Sequence, residues 1–256
     1  MEATQMDNLA TSIAACCKQL KLSSNLAERA MTEEGGTHQD YLYRLLAKEV
    51  EYRRLRRITK YMNTAGFPRR YAREQFRSEN IVFPAGVTVD SLLDLDFMHQ
   101  GKNVIMYGGS GTGKTMLSIL IGMSACSKGI PVRFCRTAGL VNRFAEHKAS
   151  LTLTSFKKKL DEAEILILDE FGYVPYDRTG AQLLFDYLSE IHERKSVVLN
   201  TNLEFSQWPN VLYDERMATA LIGRLAHHVE LLVFTGSNVR LLESSINSAI
   251  SGASGN

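Results

Sequence analysis

Residues 103–117 read NVIMYGGSGTGKTML: an apolar run, a glycine-rich turn closing on Lys-Thr, then apolar residues again. Gly108, Gly109, Ser110, Gly111, Thr112, Gly113, Lys114 and Thr115 fit G-x-x-x-x-G-K-[ST] in the strand–loop–helix setting that the motif requires. Glycines let the backbone wrap a phosphate chain, and amide N–H groups at the helix start point at the anion. Lys114 is expected on the β- and γ-phosphates and the Thr115 hydroxyl on Mg2+. The ligand these residues predict is ATP with Mg2+.

Working outward, four more short apolar runs alternate with helical stretches: 132–136 VRFCR, 164–168 EILIL, 196–200 SVVLN and 229–234 VELLVF. With 103–107 they predict an α/β fold, a five-stranded parallel sheet covered on both faces by helices. The run EILIL ends in Asp169 and Glu170, so both carboxylates should emerge at the sheet's carboxyl edge beside the phosphate loop. Asp169 suits the magnesium shell, and Glu170 suits a base or orienting group for an attacking water. The run SVVLN leads into Thr201 and Asn202. Asn202 is the expected partner of the water or γ-phosphate, with Asn200 and Thr201 as alternatives, because a one-residue slip turns a strand side chain to the other face.

The part before this sheet differs in charge. Net charge over the 256 residues is only +2, yet Tyr41 to Arg77 holds eleven Lys/Arg against three Asp/Glu, so the rest is acidic. That asymmetry points to a polyanionic partner. Residues 41–62 contain no Gly or Pro, and Tyr41, Leu45, Tyr52, Leu55 and Met62 share one helical face. Arg53, Arg54, Arg57 and Lys60 project beside that stripe, and with Arg56, and Arg69 and Arg70 beyond the break at Pro68, they form the candidate patch. The run reads as one-signed and unpaired by acids, a patch for DNA phosphates with little sequence preference. Lys157, Lys158 and Lys159 form a second basic cluster, in the long connection between the second and third runs.

Other features restrict the class. No stretch of 18 apolar residues indicates a membrane span, and the N-terminus lacks the charged and apolar regions of a signal peptide. The four cysteines show no metal-ligand spacing and read as free thiols in a reducing cytoplasm. Trp208 and Phe205 read as packing residues. Residues 1–80 are expected to form a small all-α, basic N-terminal DNA-binding domain, 81–250 the nucleotide-binding domain, and 251–256 a disordered tail.

Phosphate loop, Asp-Glu pair and polar strand end, in that order, resemble an AAA+ P-loop NTPase. More specifically, GGSGTGKT, LILDEFGYVP, LNTNLEFSQW and RLAHHVELLVF resemble the IstB-type transposition helper ATPases of insertion sequences, relatives of the DnaC helicase loaders. The resemblance implies that Asn202 matches the sensor-1 position. It also implies that Arg224 is an arginine finger offered to a neighbouring subunit's ATP and that Arg240 is a sensor-2-like arginine. Gly223 stands where the family often has an acidic residue, and the roughly twenty residues after the last run are too few for a full helical lid. In the initiator and loader branch the connection carrying Lys157 to Lys159 faces DNA.

Together these imply an ATP-hydrolysing regulator of DNA transposition. It would assemble as a ring or helical homo-oligomer on duplex DNA, select or remodel the target, and engage a transposase. Hydrolysis would promote disassembly. A DnaC-like replicative helicase loader is the alternative, with single-stranded nucleic acid and a helicase as its partners.

Overall fold

The computed structural model describes residues 2–32 and 37–236. The chain divides into two compact units, one reaching Lys60 and the other beginning at Tyr61.

The first unit holds α1 (Glu2–Gln19), α2 (Leu26–Thr32) and most of α3 (His38–Thr64). Cys17, Leu26 and Leu45 form its core, with Ile13, Leu22, Ala30 and Tyr41 packed on them. The stripe expected on α3 therefore starts as read, at Tyr41 and Leu45. Its next position is an acid: Glu49 is 3 % exposed. Its carboxylate accepts hydrogen bonds from the Ser23 amide (2.9 Å), the Ser23 hydroxyl and Arg53 Nε (2.7 Å). Burial alone would push this carboxyl up, but the Ser23 and Arg53 hydrogen bonds outweigh it and hold its pKa below the usual carboxylate value. Leu55, placed on the same stripe by periodicity, is exposed.

The second unit runs through a 3-10 turn at Arg73–Gln75, β1 (Ile81–Val82), α4 (Val89–Asp94), α5 (Asp96–His99), β2 (Asn103–Gly108) and α6 (Lys114–Ser127). It continues with β3 (Val132–Arg136), α7 (Thr137–Ala149), α8 (Leu153–Asp161), β4 (Ile165–Phe171), α9 (Arg178–Ile191) and β5 (Ser196–Thr201). Last come α10 (Trp208–Leu212), α11 (Glu215–Ala226) and β6 (Val229–Phe234). Strand order across the sheet is β1-β6-β2-β5-β4-β3.

All five expected strands are present and pair in parallel. The expected five-stranded parallel sheet is nevertheless incomplete. The sheet has six strands and is mixed, because β1 pairs antiparallel with β6, Ile81 opposite Phe234. Two residues are too few to show a period-2 pattern, and Pro84, two residues on, made the segment read as a linker.

Alternation along the strands feeds two cores. Ile105, Leu166, Leu168, Val197 and Leu199 face the layer that α7–α11 supply. Val104, Met106, Ile165, Ile167, Val198 and Leu232 face α4–α6 and the segment after α3. A parallel sheet buried on both faces needs such near-continuous apolar strands. Buried Asn103 is one of the polar exceptions: its side chain donates to the Leu225 carbonyl and accepts from the Val197 amide, tying β2 to β5 and α11. Trp208 is fully buried against Phe171 and Phe205, the packing role expected of it. No helix among the described residues is long and apolar enough to cross a membrane.

Candidate functional site

The phosphate loop leaves the middle of the sheet between β2 and α6. At Gly108, φ is +149°, and a Cβ there would lie 2.3 Å from the Phe234 carbonyl oxygen. Only glycine permits β2 and β6 to approach this closely. Gly113, in the left-handed region, caps α6 and directs its first-turn amides toward the loop. Lys114 Nζ donates to the Gly108 and Gly109 carbonyl oxygens at 2.6 and 2.7 Å, so its ammonium lies inside the curl of the loop.

Thr115 and Asp169 meet as expected. The Thr115 hydroxyl lies 2.9 and 3.1 Å from the two carboxylate oxygens of Asp169, which is 3 % exposed. Asn200 Nδ2 donates to the same carboxylate at 2.8 Å and to Ser118 Oγ at 2.9 Å. Asn200 Oδ1 is buried without a hydrogen-bond partner. Hydroxyl, carboxylate and amide oxygen are the hard donors that Mg2+ takes, so these residues fit that ion.

Glu170 reaches the pocket by an irregularity. Neighbouring strand residues normally face opposite ways. Here β4 slips against β5 between Leu168 and Phe171, and Glu170 has φ +57°. The bulge turns Glu170 so that it lines the same cavity as Asp169, the re-aiming for which bulges are used beside active sites. Thr201 supports the bulge by donating to the Phe171 carbonyl at 3.0 Å. Arg136, at the end of β3, stands 3.8 Å from the Glu170 carboxylate, with both side chains largely exposed.

The cavity measures about 490 Å³, within the range of small-ligand sites. Ser110 to Thr115, Asp169, Glu170, Asn200, Thr201 and Asn202 line it. Asn202 is exposed there, whereas Asn200 and Thr201 are buried. Arg69, Tyr71, Gln75, Phe76 and Arg77 form a further part of its wall, with Phe76 beside Gly113. The Arg69 guanidinium stacks 4.5 Å from the Tyr71 ring centre. Sequence reasoning missed this wall, reading Arg69 only as part of a basic surface. The available signal was the interleaving of Tyr71 and Phe76 with the arginines.

The remaining expected residues lie elsewhere. Arg224, on α11, is not among the lining residues; it donates to Ser189 Oγ at 2.7 Å and its guanidinium covers the Phe185 ring. Lys157 is ion-paired with Glu190 on α9 at 2.6 Å, while Lys158 and Lys159 are exposed on α8. Arg70 donates to Asn63. On α3 the basic run is not unpaired: Arg53 pairs with Glu49 and donates to the Lys21 carbonyl, and Arg54 pairs with Glu51. The pairs run i to i+4 and i to i+3, so acids four and three residues upstream carried the signal. Arg56 lies over the Tyr52 ring, and Arg57 is exposed. Arg240, the tail and the segment bearing on a lid lie outside the described residues.

The cysteines hold no ligand cluster among the described residues. Burial pushes the Cys126 thiol up to about 11 and that of Cys135 in the same direction, so neither is a reactive thiolate.

Comparison with known proteins agrees with this geometry. The family model described as IstB-like ATP binding protein matches residues 15–247. The chain is 32 % identical over 222 residues to the ATP-binding protein assigned to insertion sequence IS21 of Pseudomonas aeruginosa, spanning 86 % of this chain and 82 % of that protein. It is 31 % identical over 238 residues to the counterpart assigned to IS5376 of Geobacillus stearothermophilus, spanning 89 % and 92 %. Among solved structures the DnaC helicase loader superposes with a TM-score of 0.50 at 21 % identity, over 68 % of this chain and 98 % of that one, a likeness of fold.

Proposed function

The chain belongs to the family of IstB-like ATP-binding proteins, and from that premise we propose that it is the ATP-hydrolysing, DNA-binding helper of an insertion sequence. ATP joins copies of the chain on duplex DNA, the assembly selects or remodels the target and engages a transposase, and hydrolysis loosens it. The observation that carries the reading is the bulge in β4, which brings Glu170 to the cavity that holds the Thr115–Asp169 pair. That arrangement suits water, not a second substrate hydroxyl, as the nucleophile.

Within this proposal the P-loop amides and Lys114 hold the phosphates, and Tyr71, Phe76 and Arg69 receive the base side of the nucleotide. Thr115 and Asp169 would hold Mg2+, which when bound would neutralise charge on the phosphates. Asn200 fixes Asp169 in place, and Asn202 reaches the γ-phosphate or the water. Glu170 orients that water and takes its proton as the new bond to the γ-phosphorus forms and the bond to the bridging oxygen breaks. Arg224 serves a neighbouring copy, where its charge stabilises the departing oxygens. The arginines Arg53, Arg54, Arg56 and Arg57 and Lys60, with Arg70, Lys158 and Lys159, supply phosphate contacts. Lys157 and Arg69 make smaller contributions there because Glu190 and the nucleotide wall engage them.

Sedimentation velocity of the Glu170→Gln protein with a ~50-base-pair duplex, with and without ATP and Mg2+, tests the reading. Large DNA-bound species should form only with ATP. Growth on single strands alone, or none, would favour a helicase loader.

A further inference from the structure

The corner between α7 and α8 breaks two preferences at one residue. The Thr152 amide donates to the His147 carbonyl at 2.8 Å and the Leu151 amide to that of Lys148 at 3.2 Å, the double closure that ends many helices. Its left-handed position normally falls to glycine. Here it is Leu151, with φ +57°, and the residue is 94 % exposed. The corner is otherwise well tied. Ser150 Oγ bonds the Glu146 carbonyl and Thr152 Oγ1, Thr152 Oγ1 meets His147 Nδ1 at 2.7 Å, and His147 stacks on buried Phe156. A leucine that stabilises neither the turn nor the core is thus held rigidly outward. Exposed Arg143, Lys148, Lys158 and Lys159 lie on the two helices that meet at this corner, and Glu146 is the single acid in the sequence between residues 143 and 159.

A lone exposed leucine is ordinary. One that occupies a glycine position on a well-tied corner, between two helices that carry exposed cations, marks a site where strain has a use. We propose that Leu151 is an apolar tip that presses into the groove of duplex DNA and partly unstacks a base step, while Lys148, Lys158 and Lys159 hold the flanking phosphates. Leucine wedges between steps kink DNA, and cations on phosphates position them. The proposal rests on the duplex-binding reading above and adds to it the element that deforms the duplex.

Three variants in the Glu170→Gln background, with ATP and Mg2+, test it: Leu151→Gly, Leu151→Met and the double change Lys158→Ala with Lys159→Ala. The readouts are thermal unfolding, affinity for a ~50-base-pair duplex across a salt series, and permanganate reactivity of its thymines. Leu151→Gly removes the left-handed penalty, so its melting temperature should equal or exceed the parent's. Its affinity should nevertheless fall roughly tenfold, the scale of one leucine no longer buried, and the thymine reactivity induced by the parent should vanish. Leu151→Met should keep both. The lysine pair should flatten the salt slope by about two units. Should Leu151→Gly melt early, Leu151→Asn, which also accepts the left-handed region, repeats the comparison. If a folded Leu151 variant lacking the apolar side chain binds and activates thymines as the parent does, the wedge is refuted. If the parent itself fails to bind duplex with ATP, the duplex reading falls and the wedge with it.

Discussion

At Glu170 a single backbone angle decides which way the carboxylate points. The sequence showed an Asp-Glu pair at a strand end and its place beside the phosphate loop. It could not show that a bulge turns the second acid toward the cavity, because bulges depend on how β4 registers against β5. Nor could it show Arg136 beside that acid, since the two are neighbours only through the β3–β4 pairing. The pair has a consequence for rate. A guanidinium engaging Glu170 competes with the water that the carboxylate should orient. Arg136→Ala is expected to raise ATP turnover measured without DNA by about two- to fivefold, the scale of an exposed ion pair. Unchanged or lower turnover would show that Arg136 does not restrain Glu170.

At the level of elements, the five strands were legible because each is a short, largely apolar run set between helical stretches. The two-residue β1 was not, and α3 was legible only in part. Its stripe is interrupted by Glu49, whose burial depends on Ser23, twenty-six residues earlier. That network gives the N-terminal helices a pH dependence. The folded carboxyl is held below its ordinary value near 4.5, so its contribution is complete above that pH. It is lost as pH falls below about 4.5 and through the lower folded value. Helical circular dichroism of the wild-type protein should therefore weaken on acidification in this window more than that of Glu49→Gln, which is destabilised at neutral pH and less pH-sensitive. Parallel acid curves for the two proteins would remove Glu49 from the account.

For the whole molecule the question is how separate copies complete one site. Arg224 lies against Ser189 and Phe185 and away from the cavity lining of its own chain, so a role in hydrolysis requires a second chain. Arg224→Ala alone should bind ATP and lose most turnover, with fingers of this kind worth ~10³–10⁵ in rate. Lys114→Ala alone should lose ATP binding. Mixed together, the two inactive proteins should regain part of the rate, because the intact phosphate loop of one can face the intact arginine of the other. Normal turnover by Arg224→Ala alone, or no recovery on mixing, would end the assignment.

The approach of Gly108 to Phe234 also constrains how this chain can vary. A side chain at 108 would strike the backbone oxygen of residue 234, so no exchange of Phe234 for a smaller residue could make room. Position 108 is therefore a dead end for single-step change. Any lineage that altered it would first have to displace the final strand, and with it the short antiparallel edge that rests on that strand.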